Sequence, residues 1–137
     1  MRNFLKGLLA LIVGFVVGSA VNMGLILAGS RLIAPPPGMD TSTSEGLKAA
    51  MPLFGPQHFL MPFLAHALGT LAGAFVATWL AGRVNRIPAL LVGLLFLAGG
   101  VAAVYMLPAP LWFEATDLLL AYLPCAWLGF LLARKRV

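Results

Sequence analysis

The sequence predicts an all-α integral membrane protein, a four-helix bundle with a short interfacial helix in the first outer loop. Two features of composition and one of pattern support this prediction: 61% of the residues are hydrophobic, 9% are charged, and four long stretches are apolar. Soluble domains usually contain about 25% charged residues and about 45–50% apolar residues. Because a soluble fold of 137 residues could not bury so much apolar surface, the composition excludes soluble enzymes and nucleic-acid-binding proteins.

Each of the four apolar stretches is long enough to cross a bilayer as a helix, which takes roughly 20 residues. The predicted spans, in a single domain of residues 1–137, are residues 4–30, 59–82, 88–107 and 117–133. Helices are expected because the stretches lack a two-residue alternation of apolar and polar side chains. Pro88 suits the first turn of the third span, and Asp117, or Thr116 beside it, suits the N-cap of the fourth.

The first outer loop, residues 31–58, is the one substantial connection in the predicted topology. Ser42 and Glu45 have the spacing of a capping box, with Ser42 as the cap and Glu45 reaching back to it. A short helix is therefore expected after them. Leu47 and Met51 would share one face of this helix, which indicates that the helix rests on the membrane surface.

Aromatic residues near the predicted outer ends of the spans are typical of interfacial anchors. Trp112 and Phe113 fall in the second outer loop, and Tyr105 and Tyr122 fall near the outer ends of the third and fourth spans. Pro124 lies within the fourth span, where it removes a backbone donor and leaves a carbonyl group one turn earlier without its partner.

The distribution of charged residues predicts the orientation of the spans. With four spans, seven of the nine Lys and Arg residues fall on one side of the membrane: Arg2, Lys6, Arg83, Arg86, Arg134, Lys135 and Arg136. The other side carries two cations and all four acids: Arg31, Lys48, Asp40, Glu45, Glu114 and Asp117. The positive-inside rule then places both termini in the cytoplasm.

The second span carries a stripe of small residues, one every four positions: Ala65, Gly69, Gly73 and Ala77. Such a stripe lets two helix backbones approach closely. Gly14 and Gly18 offer a matching groove on the first span. Tight packing within one bundle is the preferred interpretation, and an interface between two copies is the alternative.

Polar side chains inside a span are costly and need a partner. Asn22 in the first span and His66 in the second lie at about 16 Å and about 12 Å from the outer end, at 1.5 Å per residue, so the two side chains could meet. Thr70 lies one turn from His66 on the same face. This group is interpreted either as a structural hydrogen bond between two helices or as a ligand or proton site, with Asn22 as the expected partner of His66.

A second group of candidates lies near the outer rim: His58, Glu114 and Asp117. His58 and His66 are eight residues apart, which on a helix separates them by about 12 Å, so they cannot bind one metal ion as a pair. We therefore predict no metal site and no cofactor, and we interpret Asp117 as a helix cap. The single cysteine, Cys125, excludes an intrachain disulfide.

Several segments carry a family resemblance: Val21-Asn22-Met23-Gly24, Pro35-Pro36-Pro37-Gly38, His58-Phe59, Pro62 through Gly69, Met106-Leu107-Pro108 and Trp112-Phe113. With these segments the chain, over nearly its whole length, resembles a group of small bacterial four-span inner-membrane proteins with no assigned function. The resemblance implies the bacterial inner membrane as the location. It implies no activity and no catalytic residues.

Three functions are compatible with these features, in order of preference. The first is a bundle that binds or passes a small apolar or amphipathic molecule, in contact with membrane lipid and acting as a homodimer or beside a larger membrane partner. The second is a structural or accessory membrane protein without a ligand. The third is a lipid-modifying enzyme that uses His66 or His58. No serine has an evident base beside it, so the sequence favours a protein without catalytic activity.

The topology can be tested with reporter fusions at Val137. Because the cations divide seven to two between the sides, a reporter that is active only in the cytoplasm should be active at this position. Activity of a periplasm-only reporter fused to Val137 would contradict the predicted orientation.

Overall fold

The computed structural model describes residues 1–134, and all regular structure in that range is helical. The elements, in chain order, are α1 (Arg2–Leu32), α2 (Ser44–Ala50), a 3-10 turn (Met51–Leu53), α3 (Gln57–Ala81), α4 (Ile87–Met106), α5 (Leu111–Leu120) and α6 (Leu123–Ala133). The described residues do not include Lys135 and Arg136, two of the cations used to predict orientation. They also do not include the proposed fusion site, Val137.

The prediction of an all-helical chain with four long apolar helices is confirmed for residues 1–134. These are α1, α3, α4 and the segment Leu111–Ala133, which comprises α5 and α6; each is long and apolar enough to cross a membrane. The predicted start of the fourth at Asp117 is wrong, because the helix begins at Leu111 after the extended Pro110. Asp117 therefore lies inside α5 and does not cap it.

The fourth apolar segment is interrupted between α5 and α6. Pro124 occupies the first turn of α6, and because it has no N–H, the carbonyl oxygen of Leu120 lacks the usual backbone donor. The thiol of Cys125 donates to this oxygen at 3.4 Å. Tyr122 precedes α6 with φ −107° and ψ −82°, outside the helical region. The proline thus divides the segment into two helices, and the cysteine takes over part of the lost hydrogen bonding.

The short helix α2 forms where the sequence predicts it, but the predicted cap is wrong. The side chain of Thr43, not Ser42, accepts the hydrogen bond from the backbone N–H of Gly46, at 3.0 Å. Ser42 instead donates its backbone N–H to Asp40 at 2.9 Å. Hydrogen bonds from the side chain and the backbone of Ser42 hold the pKa of Asp40 below its ordinary value.

The apolar face of α2 contacts other parts of the chain. Met51, at the start of the 3-10 turn, is buried with Phe59 of α3 and Phe113 of α5, and Leu47 packs against this cluster. Trp112 and Phe113 both belong to α5, so their predicted position in a loop is wrong. The first loop therefore closes one end of the bundle through an aromatic cluster.

Helix α3 contacts α1, α4, α5 and α6, and its small residues allow the closest of these approaches. A Cβ placed on Gly69 would lie 2.9 Å from the carbonyl oxygen of Gly18. A Cβ placed on Gly73 would lie 2.7 Å from the carbonyl oxygen of Gly14. Real Cβ atoms are not found so close to backbone oxygen, so α1 and α3 touch through four glycines.

Small residues also allow α6 to pack closely against its neighbours. A Cβ on Gly129 would lie 2.5 Å from the carbonyl oxygen of Leu71 and 2.9 Å from the Cβ of Ala74, both on α3. On α4, a Cβ on Gly93 would lie 2.6 Å from the Cβ of Ala126. These contacts bring α6 against both α3 and α4, so the bundle is held by dispersion between closely spaced backbones.

The α1–α3 contact predicts that Gly69→Leu and Gly73→Leu destabilise the protein. Each leucine would press on the backbone of α1, and overpacking typically costs about 1–3 kcal/mol, with more expected where backbone must move. Gly24→Leu on α1 is the control, because a Cβ there meets nothing within 4 Å. Thermal unfolding in detergent measures the effect. Equal melting temperatures for the three variants would contradict the packing described above.

Candidate functional site

A cavity of about 220 Å3 lies at the end of the bundle that α2 covers. Its walls are mostly apolar and include Ile26 of α1, Phe59 of α3, Val104 of α4 and Phe113 of α5. A neighbouring cavity of about 170 Å3 shares part of this lining, including Ile26 and His58. The end of the bundle therefore contains a sheltered apolar space rather than a solid core.

Four ionisable side chains line the larger cavity: His58, His66, Glu114 and Asp117. The structure thus brings together four of the six ligand-binding residues that the sequence suggests. The other two, Asn22 and Thr70, do not line it. The hydroxyl of Thr70 donates to the carbonyl oxygen of His66 at 2.7 Å, one turn earlier in the same helix.

Two side chains that line the cavity, His66 of α3 and Asp117 of α5, contact each other and the buried Tyr122 at the α5–α6 break. Nδ1 of His66 lies 2.8 Å from Oδ1 and 2.9 Å from Oδ2 of Asp117. The hydroxyl of Tyr122 donates to Oδ2 of Asp117 at 2.7 Å and lies 3.1 Å from Nδ1 of His66. We call His66, Asp117 and Tyr122 the polar triad.

The break between α5 and α6 allows this arrangement. In an uninterrupted helix, residues five apart point about 140° away from each other, so Tyr122 would not reach Asp117. The change of backbone direction at Tyr122 brings its hydroxyl to the carboxylate. Gly100 of α4 makes room for the ring, because a Cβ at that position would lie 2.5 Å from the hydroxyl oxygen of Tyr122.

Burial differs within the polar triad. Tyr122 is 1% exposed and the side chain of Asp117 is 6% exposed, whereas the side chain of His66 remains 23% exposed. The imidazole stacks on the Tyr122 ring, with 5.7 Å between ring centroids and 28° between planes. The carboxylate and phenol are thus enclosed, and the imidazole is the member that keeps an accessible edge.

His58 lies on the same cavity wall with both ring nitrogens bound to the backbone. Nε2 lies 3.1 Å from the carbonyl oxygen of Ala34, which can only accept, so Nε2 carries the proton. Nδ1 then accepts from the backbone N–H of Gly55 at 3.0 Å. His58 also stacks on Phe54. This histidine ties the first loop to the start of α3.

Asn22 is not the partner of His66, so that prediction is wrong. The Cβ of Asn22 lies at the α1–α3 contact beside Gly69. Its side-chain oxygen is buried, and no group in residues 1–134 hydrogen-bonds to it. The close approach of α1 brings the backbone of Asn22 against α3, whereas the imidazole of His66 turns towards α5.

Sequence reasoning missed the role of Tyr122 and misplaced Asp117. The available signal was the position of an aspartate within the apolar run Leu111–Ala133, since a carboxylate inside such a run requires a partner. A second signal was Pro124, two residues after the tyrosine, because a proline predicts a break at which side-chain directions change.

The chemistry open to this site is that of an oriented imidazole in an apolar cavity. Within residues 1–134 no group of three His, Cys, Asp or Glu residues is placed to hold a metal ion. No family model, curated protein or solved structure matches the chain. The function must therefore be argued from the cavity and the polar triad.

The polar triad predicts a large difference between two substitutions on α5. Asp117→Ala would remove the acceptor of the Tyr122 hydroxyl and both carboxylate contacts of His66 Nδ1. Only the 3.1 Å contact between Nδ1 and the Tyr122 oxygen would remain, so one donor would be left unpaired, at a cost of about 1–3 kcal/mol. Glu114→Ala, one turn earlier, removes the same charge but no hydrogen bond found in residues 1–134, so a change within about 0.5 kcal/mol is expected. Unfolding in detergent compares them, and equal losses would contradict the hydrogen bonding described here.

Proposed function

We propose that the chain is an integral protein of the bacterial inner membrane, with four spans and both termini in the cytoplasm. The surface of α1 supports membrane insertion, because large apolar side chains are exposed on it, including Phe4 at 75%, Leu9 at 54% and Val16 at 60%. Exposed apolar area of this extent is unfavourable in water and favourable in lipid. The division of the cations supports the orientation.

Within the membrane, the protein is proposed to bind or pass a small apolar or amphipathic molecule. The observation that carries this proposal is the hydrogen-bonded pair of His66 and Asp117 on the wall of a mostly apolar cavity. Small-molecule sites are typically concave and mostly apolar, with a few oriented polar groups. Here the apolar walls would hold the body of the molecule, and His66 would bind its polar group.

The size of the cavity limits the ligand. A dry engineered cavity of about 150 Å3 is known to hold benzene. A space of about 220 Å3 therefore suits a molecule somewhat larger than benzene, such as a bicyclic aromatic or a short branched chain. A whole phospholipid would not fit, although one end of an acyl chain would.

A purely structural role is the second candidate, and one observation favours it. The three members of the polar triad satisfy one another and connect α3 to both sides of the α5–α6 break. The 23% exposure of the His66 side chain and the adjoining space favour the binding function over this alternative. An enzyme that modifies lipids ranks third, because the hydroxyl beside the His66 imidazole, that of Tyr122, donates its proton to Asp117 and not to His66, so the imidazole does not activate it as a nucleophile.

The binding function is tested by filling the cavity from α4. Ala103 lines the cavity, and Ala102 beside it is exposed on the outside of the bundle. Ala103→Phe should therefore remove small molecules that copurify with the protein, while Ala102→Phe should retain them. Mass spectrometry of extracts from the purified variants measures this difference.

Thermal unfolding of both variants shows whether they remain folded. Identical sets of small molecules in folded Ala103→Phe and wild-type protein would contradict binding in this cavity. The absence of any copurified molecule from the wild type would favour the structural role.

A further inference from the structure

We propose that Asp117 fixes the tautomer of His66, so that the cavity selects molecules that carry a hydrogen-bond donor such as a hydroxyl group. This proposal rests on the binding function proposed above and specifies its ligand class. Asp117 acts here as a positioning residue, because it works through the imidazole and not by touching the ligand.

The first step concerns the proton on Nδ1. An ionised carboxylate can only accept hydrogen bonds, and both oxygens of Asp117 lie within 2.9 Å of Nδ1 of His66. The Tyr122 hydroxyl has one hydrogen, which it donates to Asp117 at 2.7 Å, so towards His66 it presents only lone pairs. Every neighbour of Nδ1 is therefore an acceptor, and Nδ1 must carry the proton.

The second step concerns Nε2. When Nδ1 of a neutral imidazole is protonated, Nε2 holds a lone pair and accepts hydrogen bonds. No group in residues 1–134 hydrogen-bonds to Nε2 of His66. In the same residues, the side-chain nitrogen and oxygen atoms that are buried without a hydrogen-bond partner are Oδ1 of Asn22 and Oγ1 of Thr78, so Nε2 is unpartnered but not buried. Nε2 is therefore accessible, on a residue that lines the cavity.

The third step concerns the rigidity of this acceptor. The imidazole is held on one side by its bonds to Asp117 and stacks on the ring of Tyr122. Tyr122 is itself buried and packs against Gly100. Because the imidazole is already held in one orientation, little side-chain entropy is lost when a ligand binds. The affinity for a ligand with a matching donor is therefore higher.

The remaining ionisable groups of the cavity support the same selection. His58 uses both nitrogens on the backbone, so it offers nothing to a ligand. The Glu114 carboxylate can only accept when it is ionised. Among the polar side chains that line the cavity, those free to bind a ligand are thus acceptors, and the molecule that fits them has an apolar body and a donor.

The tautomer can be measured without any ligand, by nitrogen-15 NMR of histidine-labelled protein in nanodiscs at neutral pH. His66 should carry its proton on Nδ1, whereas His58 should carry its proton on Nε2. The two histidines thus serve as opposite references within one protein, and His66→Gln assigns the signals. A proton on Nε2 of His66, in the other tautomer or in the imidazolium, would overturn the proposal.

The selection is measured with a matched pair of probes, 1-naphthol and 1-methoxynaphthalene, titrated into the same nanodiscs. The wild type should bind the naphthol about fivefold more tightly, the effect of one net hydrogen bond. In Asp117→Asn, the amide oxygen should stay with the Tyr122 hydroxyl and the amide nitrogen should donate to Nδ1, which moves the proton to Nε2. The preference for naphthol should then disappear, and 1-acetylnaphthalene, which only accepts, should bind more tightly than to the wild type.

Asp40→Asn is the control, since it makes the same change in the first loop, at a residue that does not line the cavity. Equal affinity of the wild type for naphthol and its methyl ether would overturn the selection while leaving the binding function intact. Failure of all three probes to bind would contradict the binding function itself. If Asp117→Asn does not fold, the wild-type tautomer and the wild-type preference still decide the proposal.

Discussion

The carboxylate of Asp117 is the group on which the arrangement of this end of the bundle depends. A carboxylate enclosed by apolar helices is tolerated only when hydrogen bonds replace the water it has lost. Here the replacements come from His66 on α3 and Tyr122 after the α5–α6 break. The carboxylate thereby connects α5 to α3 and to the backbone break at Tyr122, in addition to the apolar contact between Phe113 and Phe59.

Close packing and the cavity occupy different parts of the molecule. Where α1 meets α3, and where α6 meets α3 and α4, small side chains let backbones touch, and no room remains for a ligand. Towards α2, the contact between α3 and α5 is made by larger side chains, in an aromatic cluster around Phe59 and Phe113. The cavity lies at this end of the bundle, between residues of α1, α3, α4 and α5.

The helices and the glycine contacts are predictable from the sequence because they follow local rules. An apolar run of span length predicts a helix, and a four-residue spacing of small side chains predicts one face of close approach. The pairing of His66 with Asp117 is not local, since 51 residues separate them and their meeting depends on the phase of two helices. The sequence pattern predicts that the fourth helix starts at Asp117, whereas the helix begins at Leu111. Asp117 is therefore interpreted as a helix cap, and its need for a partner inside the bundle is missed.

The two histidines show why the surroundings of a polar side chain matter more than its type. His58 and His66 line one cavity, and each has an imidazole beside an aromatic ring. The backbone around His58 supplies an acceptor to Nε2 and a donor to Nδ1, which satisfies both nitrogens of a neutral imidazole. The partners of His66 are acceptors that all contact Nδ1. They satisfy this nitrogen and orient the ring, and Nε2 is left without a partner in residues 1–134. This difference supports a structural role for His58 and is the basis of the proposal that His66 binds a ligand.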